Sequence, residues 1–178
     1  NRILIFLDQS IVSLGNFLIT ILLLKFLGLN QFGIFSFFWI FLLLIQSLQL
    51  AYIISPMLSN SPFQNNSNIK YFYGGIFLQQ ILLCLIIFFL IFIFLKYFFN
   101  IFFSYNVLNL YLPFSLILVS SQLFQFCRRL LISLGYTKLL IIVDFFIYFI
   151  LIISIIIFKQ YYYLDLEVIF WQFFIIFF

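Results

Sequence analysis

Two acids, Asp8 and Asp144, are the residues with which this sequence could do chemistry, because each stands inside a long apolar run. A carboxylate near the centre of a membrane-length helix costs roughly 2.5 to 3.5 kcal/mol, while each Leu, Ile or Phe around it returns ~0.3 to 0.6. Insertion wins, but the acid must face a protein interior or a watery cavity, where it is a candidate for ion coupling or solute binding. Beside Asp8, the residues Gln9, Ser13, Asn16 and Thr20 fall within roughly 60° of one another at ~100° per residue, a polar stripe on a greasy rod. In the next apolar run Gln46 and Gln49 are three apart on one face. A second stripe of Ser115, Gln122, Gln125 and Arg129 falls within roughly 80°. Arg128 and Asp144 flank Gly135 at similar distances, so a chain reversal there sets them on adjacent antiparallel helices within reach of an ion pair. Two readings of the amides stand side by side, a solute pathway or hydrogen bonds that hold helices together at ~0.6 kcal/mol apiece. The ion pair likewise either locks a hairpin or serves function.

The elements that must position these residues are membrane spans. From Ile3 to Leu27 the chain carries one acid, one late lysine and no proline, enough at 1.5 Å per residue to cross a hydrocarbon core of ~30 Å. The turn 28–33 (GLNQFG) reverses direction into a second span from about Ile34 to Ile54, which ends at Ser55-Pro56. The polar stretch Ser59 to Lys70 reads as a solvated loop. It contains the sequon Asn65-Asn66-Ser67, discounted because the loop is expected in the cytoplasm. A third span covers Tyr73 to Leu95, with Gly74-Gly75 offering close helix contact and Lys96, Tyr97 and Tyr105 marking the far interface. The fourth runs from Val107 to Cys127 with Pro113 in its first turns, the fifth from Leu139 to Phe158, and a sixth begins at Val168. The loop Lys159 to Glu167 reads as interfacial. With the amino terminus inside, Arg2, Lys70, Arg128, Arg129 and Lys138 are cytoplasmic and Lys25, Lys96 and Lys159 are not, a bias of five to three.

Composition excludes a soluble domain: the chain is 67% hydrophobic and 7% charged, with a mean hydropathy of +1.33, where soluble domains carry ~25% charged residues. The fold class is therefore all-α, a polytopic transmembrane bundle of about six spans forming a single domain over residues 1–178. Its 31 Phe match what an AT-rich coding sequence would produce, so they are not read as a binding feature. A net charge of +4 would suggest nucleic acid in a soluble protein, but the basic residues are scattered singly apart from Arg128 and Arg129, and no nucleic-acid partner is expected. There is no His, and Cys84 and Cys127 lie in apolar runs, so they are expected to be packed thiols. No metal, cofactor or disulfide framework is expected. Without a phosphate-binding loop or a nucleophile with its base, the chain is not expected to be an enzyme. The absent initial methionine and the apolar end at Phe178 suggest truncation at both ends.

The pattern D-Q-x-x-x-S-x-x-N-F in the first span, K-F-L-G-L-N-Q-F-G at the turn, Gln46 and Gln49 closing on Ser55-Pro56-Met57, and Q-x-x-Q-x-x-R-R before Gly135 together resemble the amino-terminal half of polysaccharide flippases. These are the O-antigen and exopolysaccharide exporters of the multidrug/oligosaccharidyl-lipid/polysaccharide superfamily. The resemblance implies one lobe of a two-lobed bundle in the bacterial cytoplasmic (inner) membrane. Such a bundle moves an undecaprenyl-diphosphate-linked oligosaccharide between leaflets by alternating access. It implies that Asp8, Gln9, Asn16, Gln46, Gln49, Gln122 and Gln125 line a cavity. Arg128 and Arg129 would sit near its cytoplasmic mouth as partners of the diphosphate. A diphosphate cavity should be basic, yet Lys25 is the only base that this reading places within a span, so the missing half would have to supply the charge. Asp8 or Asp144 is the candidate for H+ or Na+ coupling, since desolvation raises a carboxylate pKa and a nearby Arg lowers it. A cation-coupled multidrug exporter of the same superfamily and a non-transporting membrane subunit are the alternatives.

Overall fold

A computed structural model describes the backbone of residues 2–64, 69–102, 110–161 and 164–178, and the side chains of these except residues 2 and 94–102. The sequon 65–67, Tyr105 and the expected start of the fourth span at Val107 lie outside the described residues, as do the side chains of Arg2, Lys96 and Tyr97. Every regular element described is helical: α1 (Arg2–Gln49), a π-turn (Leu50–Ile54), α2 (Ser55–Asn60), a 3-10 turn (Ser61–Phe63), α3 (Ile69–Phe102), α4 (Tyr111–Ser133), α5 (Thr137–Tyr161) and α6 (Leu166–Phe177). Among the described residues, four helical stretches are long and apolar enough to cross a membrane, the first being the continuous run Ile3–Phe63. With this composition, the chain is an integral membrane protein. The 12 residues of α6 reach about 18 Å, short of a full crossing.

The first run is bent at Gly28, whose φ of 76° and ψ of 170° no helix contains. The left-handed φ suits glycine. The expected six-residue turn shrinks to this one residue, because Leu29 to Gly33 are already helical. The second limb of α1 runs along α4 in the same direction, with Phe38 on Phe114 and Gln49 on Gln122. The first limb runs alongside α5, pairing Asp8 with the Arg128–Asp144 level and Gly15 with Tyr148. Since α4 and α5 are antiparallel across Gly135, the two limbs are antiparallel as well.

The second limb does not stop at Ser55-Pro56. Pro56 lacks an N–H and its ring collides with the carbonyl four residues back, so an unbroken α-helix cannot pass it. Here the preceding turn, Leu50 to Ile54, widens to a π-turn and Pro56 takes the first turn of α2, where no donor is needed. At Gly135 (φ 83°) the α4 end closes with two backbone bonds, Gly135 N–H to the Ile132 carbonyl at 3.1 Å and Tyr136 N–H to the Leu131 carbonyl at 2.9 Å. This is the Schellman arrangement, which reverses the chain and satisfies the last carbonyls of α4.

The main core joins both limbs of α1 to α4, α5 and α6 through Leu23, Phe38, Phe114, Leu118, Leu151 and Phe170. Phe38, Phe114 and Phe170 cluster in tilted and edge-to-face pairs with centroids 4.4 to 5.6 Å apart, the separation at which aromatic edges and faces attract. Gly74 and Gly75 are not in that core: a Cβ added at either meets nothing within 4 Å. The close approach expected there occurs instead at Gly15, where an added Cβ would collide with the Tyr148 ring.

Candidate functional site: a buried ion cluster and its cleft

Asp8, Arg128 and Asp144 come from the first limb of α1, α4 and α5 and meet inside the bundle. Arg128 donates from Nε to Asp144 Oδ2 at 2.8 Å and from Nη2 to the same oxygen at 2.6 Å. The same Nη2 reaches Asp8 Oδ2 at 3.1 Å, and Nη1 donates to Gln125 Oε1 at 3.2 Å. The planar fork of the guanidinium is what allows one residue to hold three others. Asp8 is 5%, Arg128 8% and Asp144 0% exposed. Oδ1 of each acid is buried with no hydrogen-bond partner. Two carboxylates around one guanidinium leave the trio one negative charge in excess when both are ionised. Among the described residues, Arg129, the next residue on α4, is a further cation within electrostatic reach of both acids.

Local sequence explains the convergence. Asp8, Gly15, Ile19 and Leu23 recur at intervals of seven and four and are all buried, forming the seam of the first limb. Gly15, two turns after Asp8, removes the side chain that would hold α5 away. On α5, Asp144 and Tyr148 are four apart on the facing seam. The expected pair of Arg128 and Asp144 forms, and Asp8 joins it from 120 residues away.

The polar stripe of the first limb does not line this interior. Gln9, Ser13 and Thr20 are exposed, because the inward seam passes through Asp8 and Gly15, about 100° from the stripe; Asn16 alone of the four turns inward, half-buried and hydrogen-bonded to Tyr148 of α5. Thr20 turns its hydroxyl back to the Asn16 carbonyl at 2.8 Å.

The second cluster is made of amides. Gln49 Nε2 donates to Gln80 Oε1 at 2.9 Å and to the Gln122 backbone carbonyl at 2.7 Å, tying the second limb to α3 and α4. Gln80 Nε2 in turn contacts Cys84 Sγ at 3.2 Å. Gln80 went unread in the sequence because it stands in the most apolar stretch of α3, next to Gln79, with no period to set it apart. Gln122 is fully buried with neither amide atom bonded, and Gln172 of α6 is in the same state.

Between these clusters a cleft of about 150 Å³ is lined by Gln46, Ser47, Gln49, Leu50, Ile54, Gln125 and Arg129. Arg129 is half-buried and, among the described residues, makes no ion pair. Gln125 faces both ways, accepting from Arg128 while lining the cleft. Both arginines sit within α4, which continues to Ser133 rather than ending at Cys127, so a span does carry bases besides Lys25. Cys84 is the packed thiol expected, whereas Cys127 is exposed. Among the described residues no group of three acids, cysteines or histidines could hold a metal ion.

Fold and site define a class: an α-helical integral membrane protein with a charged interior. No family model, curated protein or solved structure matches the chain.

Proposed function

We propose that the chain is the amino-terminal lobe of a polysaccharide flippase, with six spans and a cytoplasmic amino terminus. It acts on an undecaprenyl-diphosphate-linked oligosaccharide in the bacterial inner membrane. The observation that carries this reading is the cleft beside the ion cluster. Gln46, Gln49 and Gln125 supply donors and acceptors suited to sugar hydroxyls, and Arg129 offers a free fork to a phosphate oxygen. Arg128 has its donors committed to Asp8, Asp144 and Gln125, so Arg129 takes the anion. Gln9, exposed on the outer rim of the first limb, faces the second lobe, while Asn16 is held against Tyr148. The motif string of the first four spans supports the same reading.

In this mechanism the Asp8–Arg128–Asp144 cluster is the coupling element. One proton or one Na+ cancels its excess negative charge. Neutralising either carboxylate loosens one arm of Arg128, which then leans on Gln125 and so on the cleft. The test is rescue of surface polysaccharide in flippase-deficient strains by the full-length gene. Rescue is expected, with Arg129→Ala and Asp8→Asn each lowering it more than tenfold at unchanged protein level. Failure of the unaltered gene in strains spanning several glycans overturns the proposal.

The excess charge of the cluster favours a second reading, a cation-coupled drug exporter. That reading requires proton-driven efflux of small organic cations from proteoliposomes, lost in Asp8→Asn, and is removed if no such efflux occurs.

A further inference from the structure

Away from the ion cluster, α3 and the second limb of α1 part to leave a trough of about 600 Å³. Its wall is mostly aliphatic, with Leu48, Ile53, Leu82, Ile86, Leu90 and Ile91 among the lining, and Tyr52 also lines it. Among the described residues no phenylalanine does, although the chain has 31. Along α3 the trough runs from Gln79 to Ile91, about 18 Å at 1.5 Å per residue. That is close to the depth of one leaflet, half of a ~30 Å core.

At the Gln79 end the trough adjoins a second pocket of about 360 Å³, with which it shares Ile53 and Gln79. This pocket is polar in a specific way. Asn60, Tyr71 and Gln79 each offer a donor, none is hydrogen-bonded to another described residue, and among the described residues no charged side chain lines the pocket. Gly75 forms part of its wall and leaves it open. Depth in the membrane accounts for the order. The 34 residues of α3 measure about 51 Å, well beyond a ~30 Å core. The excess length lets the first turns of α3, which carry Lys70, Tyr71 and Tyr73, reach the headgroup zone, with Gln79 between them and the trough. Gln79 is exposed there with a donor to give to a lipid acceptor.

We infer that this paired trough and pocket hold one resident diacylglycerolipid. An acyl chain lies along α3 in the trough, and the ester carbonyls accept from Asn60, Tyr71 and Gln79. Ester carbonyls are uncharged acceptors placed where a chain meets its head, which matches donors without cations above an aliphatic slot. The lipid belongs to the leaflet that meets α2 and the first turn of α3. This inference stands whether or not the chain moves an oligosaccharide.

The experiment is native mass spectrometry of the full chain released from mild detergent. The expected result is one adduct of glycerolipid mass, reduced at least fivefold by Ile86→Trp, which fills the trough, and by Gly75→Phe, which fills the pocket. Leu85→Trp, on an exposed position outside both, leaves it unchanged. As a check that survives misfolding of a variant, a photoreactive amino acid at position 86 should crosslink lipid in native membranes at least fivefold more than one at position 85. Absence of an adduct, an adduct of polyprenyl mass, equal loss in all three variants, or equal crosslinking at 85 and 86 each overturns the inference.

Discussion

α4 and α3 are built oppositely. α4 is the least apolar of the spanning helices, yet 44% of its most apolar stretch is buried, against 22% for the far more apolar α3. In water the order would be reversed, with the greasiest helix at the centre. In a bilayer the lipid is as apolar as leucine, so nothing drives α3 inward, while the serines, glutamines and arginines of α4 must find protein partners. The polar helix therefore becomes the axis. Ser115, Ser120 and Ser121 turn their hydroxyls onto carbonyls three residues back, Gln122 is sealed in, and Arg128 gathers the acids of two neighbouring helices.

Substitutions that exploit this contrast should have very different costs. The largest effect is expected from Arg128→Met, which leaves two carboxylates buried without their cation. Breaking a buried ionic group in this way costs ~3 to 5 kcal/mol, measurable by denaturant unfolding in micelles. Adding Asp8→Asn and Asp144→Asn to that variant should recover most of the loss, because the whole charged set is then removed. No recovery would mean that the three residues do not form one cluster.

Next comes Gly15→Leu, which drives a side chain into Tyr148 and should cost ~1 to 3 kcal/mol by overpacking. Gly74→Ala, on open helix surface, should instead stabilise slightly, by about 0.4 to 1 kcal/mol. If both glycines respond alike, the limb contact at Gly15 is misplaced. The amides sharpen the comparison further. Gln49→Leu strands Gln80 and should cost ~1 to 3 kcal/mol, whereas Gln122→Leu removes a side chain whose amide bonds nothing and should be neutral or stabilising. The smallest effect belongs to the lipid-facing side of α3. Leu85→Ala and Phe89→Ala, at positions 49% and 58% exposed, should stay within ~0.5 kcal/mol of the parent.

Much of this architecture was legible from the residues. The apolar runs gave the helices, and the pairing of Arg128 with Asp144 followed from their similar distances to Gly135, since a hairpin fixes which residues face each other. What was not legible depends on which neighbour a face meets. Helical arithmetic grouped Gln9, Ser13, Asn16 and Thr20 correctly, but a stripe of amides carries no sign of whether it points in or out. The deciding residue was Gly15, because close contact with Tyr148 turned the Asp8 seam inward, left Gln9, Ser13 and Thr20 on the rim and brought only Asn16 onto the Tyr148 hydroxyl. Likewise Pro56 reads as a stop from its own chemistry. Only the widened turn at Leu50 to Ile54 lets the helix carry on past it, and nothing in LAYII announces that turn. Asp8, separated from Arg128 by the rest of the bundle, could be recognised as needing a partner but not matched to one.

The central claim is that Asp8 and Arg128, on helices remote in sequence, form one charged unit at the axis of the bundle. The most direct measurement is a double-mutant cycle of Asp8→Asn and Arg128→Gln, read as unfolding free energy of the full chain in micelles. The account predicts that the two losses fail to add by ~1 kcal/mol or more. Losses that add within ~0.3 to 0.5 kcal/mol, as they do for sites that do not touch, would contradict it.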